Sequence, residues 1–290
     1  MSRWPEKPRV LFSYAYLRTA KGDPFAAVPE ADIIIDSGAF TAHSSGVPIA
    51  LSDYIAFLED HHRRARFAFS LDVIGDPVAS MRNWLKAQER LPDVPLVPTW
   101  HIGSDVKHLE AICAKTDYAS IGGAVPHFRK RDALMRELIR AHRIARDHGT
   151  QLHGLGVTAT DAVIKLPWAS VDSSSWTIPG RMPMTYLARR DGRMFTTVHG
   201  DKIPPADAKV IRDYGGDPEA MSRYGFASTK TVGKELAKAR KEWAVLAACR
   251  SYMHREGVKR TRDSSDFRLF FASVPRERQP FIAHQMGPIW

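Results

Sequence analysis

Short apolar runs alternate with longer stretches of mixed polarity over the first 176 residues of the chain. The runs are rich in valine, isoleucine and phenylalanine and are bounded by glycine, proline or aspartate, which is typical of buried β-strands. They cover residues 9–16, 31–38, 66–74, 94–103, 118–125, 151–158 and 168–176. Strands that alternate with helices form a parallel sheet, and this number of strands favours a closed barrel over an open sheet. We therefore predict an α/β protein with a (β/α)8 TIM-like barrel and extra C-terminal helices.

The stretches between the runs carry the start and stop signals of helices. Residues 51–65 have helical periodicity, and Ser52 is the predicted N-cap of this helix. Residues 76–91 begin with aspartate followed by proline, which is a favourable helix start. The stretch 130–149 ends at Gly149, a residue type that commonly stops helices.

The eighth strand of the barrel is less clearly marked than the first seven. The segment GRMFTTVH, residues 192–199, is the candidate because it alternates apolar and polar positions. Residues 181–195 are equally compatible with an inserted hairpin. Beyond residue 200, two adjacent prolines precede helical stretches, so we expect residues 1–200 to form the catalytic barrel. Residues 201–290 would then be a helical part that packs on the barrel and could complete it.

The composition is that of an ordinary globular protein, with 44% hydrophobic and 26% charged residues. No stretch approaches the roughly 20 apolar residues that span a bilayer. The first twelve residues carry charge and two prolines instead of the apolar run of a signal peptide. We therefore expect a cytoplasmic protein with no membrane partner, located in the host cytoplasm if a phage encodes it.

Cysteine usage predicts neither a disulfide framework nor a zinc site. The only two cysteines, Cys113 and Cys249, are far apart and lie in predicted helices among alanines. Small buried cysteines of this kind are usually packing residues. No cofactor and no metal ligand set is predicted from these residues.

The net charge of +10 indicates a polyanionic partner, of which nucleic acid is the commonest. Several cations cluster in and before the predicted helix 231–256: Lys230, Lys234, Lys238, Arg240 and Lys241. They are compatible with two interpretations, the solvated face of a helix docked on the barrel or the border of a phosphate-binding groove.

Three carboxylates directly follow apolar runs, in the segments IIID, FSLD and ASVD that end at Asp36, Asp72 and Asp172. A charge at such a position is costly unless it is paired or exposed in a site. One of them could form a salt bridge at the barrel rim. All three, however, occur where a (β/α) barrel places its active site, at the carboxyl ends of the strands.

Two facing carboxylates suit chemistry at a glycosidic bond. One attacks the anomeric carbon and forms a covalent intermediate, while the other protonates the leaving group and later accepts a proton. A third carboxylate can accept hydrogen bonds from the N–H groups of a guanine edge. Glycines accompany these positions: Gly38 follows the second run where a sharp turn is needed, and Gly122 with Gly123 would expose backbone groups to a flat base.

The segments that carry these residues resemble the guanine transglycosylases, a family that includes the queuine and archaeosine tRNA-ribosyltransferases. IIIDSGAFTAHSSG resembles the D-S-G-G-F motif of the family, and the strand that ends at Asp72 follows it. IGGAV, LHGLGVTATDAV and ASVDSSSW then occur in the family's order, the last resembling the strand of the nucleophilic aspartate. The resemblance covers residues 31–176.

The resemblance implies a role for each matching residue. Asp172 would be the nucleophile on C1′ of the nucleoside, and Asp36 the general acid and base near the exchanged base. Asp72 would recognise a guanine-like base, and Phe40 would stack on the purine. The residues implied to bind substrate are Asp72, His101, Gly122, Gly123, Phe40 and Gly156.

Departures from the family pattern favour DNA over tRNA as the polymer. The tRNA enzymes have a zinc site of three cysteines and a histidine after the nucleophile strand, whereas only Cys249 follows Asp172 here. Ala39 replaces the second glycine of the motif. The chain thus resembles the zinc-less, phage-type members that place 7-deazaguanine derivatives such as preQ0 into DNA.

Three alternatives remain open at this stage. The same chemistry could act on tRNA. The twelve histidines could serve a metal-dependent barrel hydrolase, although the H-x-H motif usual after the first strand of such enzymes is missing. A basic barrel could also bind nucleic acid without catalysis. The expected partners are nucleic acid and a small 7-deazaguanine base, and the oligomeric state is left open.

Overall fold

The structure is a computed structural model that describes residues 8–20, 22–123, 131–224 and 233–272. The chain divides into two compact units, of which the first contains residues 1–173 and 270–290 and the second contains Ser174–Leu269. The predicted boundary lay at residue 200. The division after Ser173 instead falls directly behind the last residue of the strand that carries Asp172.

Strands and helices alternate through the first unit. Its strands are Arg9–Ser13 (β1), Asp32–Asp36 (β2), Ala65–Phe69 (β3), Leu96–Val97 (β4), Thr99–His101 (β5), Tyr118–Gly122 (β6), Gln151–Gly154 (β7) and Ser170–Ser173 (β8). Its helices are Tyr14–Leu17 (α1), Ala39–Ser45 (α2), Leu51–His61 (α3), Pro77–Arg90 (α4), Val106–Cys113 (α5), Arg131–Asp147 (α6) and Thr160–Lys165 (α7). Each of the seven predicted strand runs therefore contains a strand.

The second unit has one hairpin and several helices. Its elements are Ile178–Arg181 (α8), Met184–Ala188 (β9), Met194–Val198 (β10), Pro205–Asp213 (α9), Pro218–Tyr224 (α10) and Lys234–Asp263 (α11). A last strand, Arg268–Ala272 (β11), begins at the end of this unit. Short 3-10 helices lie at His62–Arg64 and Ser175–Thr177.

The parallel strands form a nearly closed barrel with the order β4-β3-β2-β1-β11-β8-β7-β6-β5. The two ends of this order are consecutive in the chain, because only Pro98 separates β4 from β5. On one side Val97 pairs with Phe69, and on the other Thr99 pairs with Ser120, whose N–H donates to the Pro98 carbonyl at 2.9 Å. Because proline has no N–H to donate to the neighbouring strand, it divides one continuous strand into β4 and β5. Its carbonyl still accepts a hydrogen bond, so the barrel continues past it. The predicted (β/α)8 barrel is thereby confirmed.

The prediction of residues 192–199 as the eighth barrel strand is wrong. β10 pairs antiparallel with β9 in a separate two-stranded sheet, which is the inserted hairpin that the sequence left open. Gly192 has a φ of +79° in the turn, and a local hairpin closes a much shorter loop than a barrel strand would. The eighth place belongs to β11, in which Phe271 pairs with Val10.

Alternate residues of the strands β1 to β4 belong to two different cores. Ile34 belongs to an interior cluster with Leu11, Phe67 and Phe270, which lie on different strands of the barrel. Its neighbours Ile33 and Ile35 belong instead to an outer cluster that contains residues of α3 and α4. Because both faces of the strands are buried, the sequence shows continuous apolar runs and no strict alternation.

Of the two helix starts predicted from the sequence, one is confirmed and one is wrong. At α4, the Asp76 side chain accepts a hydrogen bond from the Ala79 N–H at 2.8 Å, as expected of its Asp-Pro start. The predicted N-cap Ser52 of α3 is wrong, because the Tyr54 N–H already bonds to the Ala50 carbonyl and Ala50 is the capping residue. Ser52 lies in the first turn and its hydroxyl donates to Asp53.

Other expectations concern single features of the chain. Gly149, with a φ of +73°, follows α6 as predicted, and Cys113 and Cys249 are buried in helices. Parts of three predicted elements, at residues 124–125, 130 and 231–232, lie outside the described residues. No helix in the described part of the chain combines the length and the apolar character needed to cross a membrane.

Candidate active site

Three carboxylates meet at the carboxyl ends of the barrel strands. Asp36 is the last residue of β2, Asp172 lies in β8, and Asp72 follows the end of β3. Asp36 interacts electrostatically with both of the others, because the negative charges of Asp72 and Asp172 each raise its pKa. The strand ends of a parallel barrel therefore bring together residues that are 136 positions apart in the sequence, at 36 and 172.

The Asp36 carboxyl has an unusually high pKa. Its pKa is raised from 3.8 to about 7, mainly by burial, and the charges of Asp72 and Asp172 contribute to the rise. The Gly38 N–H, which donates to Oδ2 at 3.0 Å, stabilises the charged form and opposes the rise, and the nearby Ser13 side chain also lowers the pKa. An acid with a pKa near neutrality can both donate and accept a proton at that pH, which suits general acid–base catalysis.

Gly38 allows the sharp turn that places its own N–H on Asp36. Its φ is +82°, and a Cβ built on it would lie 2.5 Å from the Cβ of Ala15 and 2.8 Å from the Ala15 nitrogen. Both the backbone conformation and the close approach of α1 therefore require glycine. Ala39, the departure from the family motif, is the first residue of α2 and has no positive φ, so the turn needs no glycine there.

Gly38→Ala is expected to destabilise the protein by roughly 3 kcal/mol or more, since it combines a left-handed backbone with a steric clash. Gly46→Ala at the other end of α2 is the matched control: its φ is +70°, but no atom lies within 4 Å of the added Cβ. The control should cost only about 1 kcal/mol. Chemical denaturation measures both variants, and equal losses would contradict the role of the Ala15 contact.

Asp72 is held by two side chains. The His101 Nε2 lies 2.8 Å from Asp72 Oδ2, and the Ser37 hydroxyl donates to Oδ1 at 3.4 Å. The Asp72 and His101 side chains are only 9% and 11% exposed. His101, predicted to face a base, thus has its Nε2 directed at a carboxylate, which fixes the orientation of Asp72.

Gly122 provides space for the His101 ring. A Cβ at Gly122 would lie 2.8 Å from Cδ2 and 3.1 Å from Nε2 of His101. Gly123 follows with a φ of +75°, where the chain turns away from the end of β6. The glycine pair therefore has a structural function that the sequence did not reveal, while its predicted contact with a base stays a prediction.

Asp172 is oriented through one of its two oxygens. The Gly156 N–H donates to Oδ1 at 2.9 Å, and the His153 Nε2 lies 3.2 Å from the same atom. Asp172 is 6% exposed and His153 is fully buried. Gly156, predicted to contact substrate, is thus a direct partner of the predicted nucleophile. His153 was not predicted to contact the nucleophile, although its place inside the apolar run 151–158 indicates an inward-facing polar residue.

Phe40 differs from the other predicted site residues because its side chain is largely exposed to solvent. It lies in the first turn of α2 and its side chain is 63% exposed. A base that stacked on Phe40 would cover a ring that faces solvent, which would stabilise the complex by removing apolar surface from water. Within the part of the chain that the structure describes, no group of three or more His, Cys, Asp or Glu side chains is arranged to hold a metal ion.

Comparisons with protein-family models, curated proteins and solved structures found no match to this chain. The likeness to the guanine transglycosylases therefore rests on the sequence motifs alone. The barrel and the contacts of its three carboxylates are the structural basis for assigning a function.

Proposed function

We propose that the chain is a transglycosylase that replaces guanine in DNA with a 7-deazaguanine derivative such as preQ0. The observation that carries the proposal is the pairing of two unlike carboxyls at the barrel mouth. Asp36 has a pKa of about 7, as an acid/base group needs, and Asp172 has one oxygen that accepts from the Gly156 N–H and lies 3.2 Å from the His153 Nε2. Groups in such different environments are typical of sites where one acts as acid and the other as nucleophile.

The proposed reaction has two displacements at the same carbon. In the first, an Asp172 oxygen bonds to C1′ while the bond from C1′ to guanine N9 breaks, and protonated Asp36 gives its proton to the leaving base. In the second, N9 of the incoming base bonds to C1′, the bond from C1′ to Asp172 breaks, and Asp36 accepts the N9 proton. Both groups return to their starting states, so no cofactor is consumed.

The distribution of charge supports a nucleic acid as the substrate. The second unit, residues 174–269, contains 19 Lys and Arg against 11 Asp and Glu, so it carries +8 of the net +10. The exposed cations of α11 include Lys234, Lys238 and Arg250, whereas Lys230 lies outside the described residues. A local excess of cations of this size attracts phosphates in a way that weakens with salt. The target nucleotide would have to leave the base stack to reach the barrel mouth.

Incubation with radiolabelled preQ0 tests the proposal. Duplex DNA, single-stranded DNA and tRNA are presented in the same reaction, separated and counted. Label in DNA with release of one guanine per base incorporated is the expected result. Label in tRNA alone would identify the tRNA alternative, and label in neither polymer would contradict the proposal.

Removal of the α11 cations is expected to weaken nucleic-acid binding. In the variant Lys234→Ala/Lys238→Ala/Arg250→Ala, the slope of log K against log salt should fall by about one for each phosphate that the variant no longer binds. The matched control is Arg82→Ala/Lys86→Ala/Arg90→Ala on α4, which removes three exposed cations from the first unit. Fluorescence anisotropy with labelled DNA measures both slopes, and equal slopes in the two variants would contradict a binding role for α11.

A further inference from the structure

A chain of four side chains leads from Asp172 into the barrel interior. The His153 Nε2 is 3.2 Å from Asp172 Oδ1, and the His153 Nδ1 is 2.6 Å from the Ser170 hydroxyl. The Ser170 hydroxyl is in turn 2.7 Å from the Tyr118 hydroxyl. The members come from three adjacent strands, β6, β7 and β8, and each strand directs its residue inward by the alternation of strand side chains.

Aromatic rings fix the plane of the His153 imidazole. Its ring centroid lies 4.8 Å from that of Phe69, 6.2 Å from that of Phe67 and 6.4 Å from that of Phe270. The imidazole is fully buried, so water does not compete for its two nitrogens. Its orientation is therefore set by packing from both the β3 side and the β11 side of the interior.

The hydrogen bonds have one consistent direction when the imidazole is neutral. Tyr118 donates to Ser170, Ser170 donates to Nδ1 of His153, and the proton on Nε2 is donated to Asp172 Oδ1. As a nucleophile Asp172 is a carboxylate, which can only accept, so a neutral His153 facing it has its proton on Nε2. Nδ1 is then the acceptor for the Ser170 hydroxyl, whose single proton leaves Ser170 to accept from Tyr118. The tautomer of a histidine is set in this way by the partner of its other nitrogen.

We propose that His153 is a positioning residue for the nucleophile, held in its Nε2–H tautomer by Ser170 and Tyr118. Together with the Gly156 N–H, it occupies Oδ1 of Asp172 and directs Oδ2 towards the position of C1′. The catalytic effect of His153 rests on the proposed function. The contact between His153 and Asp172 and the tautomer of His153 do not depend on it. A histidine that only packed in the interior could form its hydrogen bonds with any polar group. The partner of His153 is instead the carboxylate of the proposed nucleophile.

Three variants separate positioning from packing. His153→Leu fills a similar volume but removes the hydrogen-bond donor to Asp172. The kcat for exchange should therefore fall about 10- to 100-fold, while KM for the base stays the same. His153→Gln can offer an amide N–H near the position of Nε2 and should recover most of the loss. Ser170→Ala removes the hydrogen-bond partner of Nδ1, so the Nε2–H tautomer is no longer selected by Ser170. This variant should lower kcat to a smaller extent. Thermal unfolding of each variant shows which of them remain folded at the assay temperature.

Nitrogen-15 NMR of histidine-labelled protein provides a readout that needs no activity. The signals of His153 are identified by their loss in His153→Gln, and Nε2 is expected to be protonated, with a proton shift that moves in Asp172→Asn. A protonated Nδ1 with a bare Nε2 would overturn the inference. Wild-type exchange with an undiminished kcat in a folded His153→Leu would overturn it as well. Failure of the wild type to exchange bases would instead reject the proposed function, and the tautomer would then decide the inference.

Discussion

Asp172→Asn is expected to abolish base exchange, with a loss of at least about 10^4-fold in kcat, as is typical when a catalytic nucleophile is removed. The amide cannot form the acyl-type ester to C1′ that the mechanism requires. Its carbonyl oxygen can still accept the hydrogen bond from the Gly156 N–H, so the fold should tolerate the change. The measurement is denaturing electrophoresis of protein with labelled nucleic acid, in which wild type should show a covalent adduct and the variant none.

Asp161→Asn is the matched control for this substitution. Asp161 lies in α7 with a side chain 59% exposed, paired with Lys165 four residues on. Exposed pairs of this kind contribute little, so adduct formation and exchange should equal those of wild type. An adduct that persists in Asp172→Asn, or one that disappears equally in Asp161→Asn, would be incompatible with Asp172 as the nucleophile.

Asp36→Asn is expected to change activity and stability in opposite directions. Exchange should fall about 10^2- to 10^4-fold, because the proton donor for the leaving base is removed. Stability at pH 8 should rise, because the variant no longer holds a partly buried charge beside Asp72 and Asp172. The Gly38 N–H keeps an acceptor in the amide oxygen, so the turn after β2 should be preserved.

The sign of the stability change follows from the two protonation states of Asp36. Its pKa is 3.8 in the unfolded chain and about 7 in the folded protein, so between these values the folded state holds a proton that the unfolded state has lost. The contribution of Asp36 is fully present below pH 4 and is lost as the pH rises to about 7. At about 1.4 kcal/mol per pKa unit, the upper limit of this loss is on the order of 4 kcal/mol.

Urea denaturation from pH 4 to pH 8 measures this difference. The free energies of unfolding of wild type and Asp36→Asn should agree near pH 4 and diverge as the pH rises, with the variant the more stable at pH 8. A difference that is independent of pH would show that Asp36 does not titrate with a raised pKa. The exchange rate of wild type should in turn change around pH 7, where Asp36 shifts from acid to base.

The local signals of the sequence were sufficient for most of the barrel. Strand runs such as ADIIIDSG contain apolar residues for both the interior and the outer core. Such a run can be recognised as a strand from its own residues, without knowledge of the strands that it pairs with. The eighth strand could not be located in this way. The pairing of Phe271 with Val10 joins segments that are far apart in the sequence, and nothing in either segment indicates its partner.

The candidate site was predictable in part for a similar reason. Asp36, Asp72 and Asp172 follow apolar runs, and strand order alone places them at the same end of a barrel. The contacts that orient them depend on register between strands. The approach of His153 to Asp172 follows from the pairing of His153 with Ser170, and the place of His101 follows from the pairing of His101 with Gly122. Sequence spacing contains no information about such registers.

The position of β11 has a consequence for synthesis of the chain. The whole second unit separates β8 from the strand that lies between β8 and β1, so ribosomal synthesis completes the barrel only near residue 272. Until then β1 and β8 are open edges, which pair readily with strands of other molecules. In a nascent chain the edge of β1 is therefore open until β11 is made, and the edge of β8 is open from residue 173 until the same point. A product that stops before β11 would keep both edges permanently.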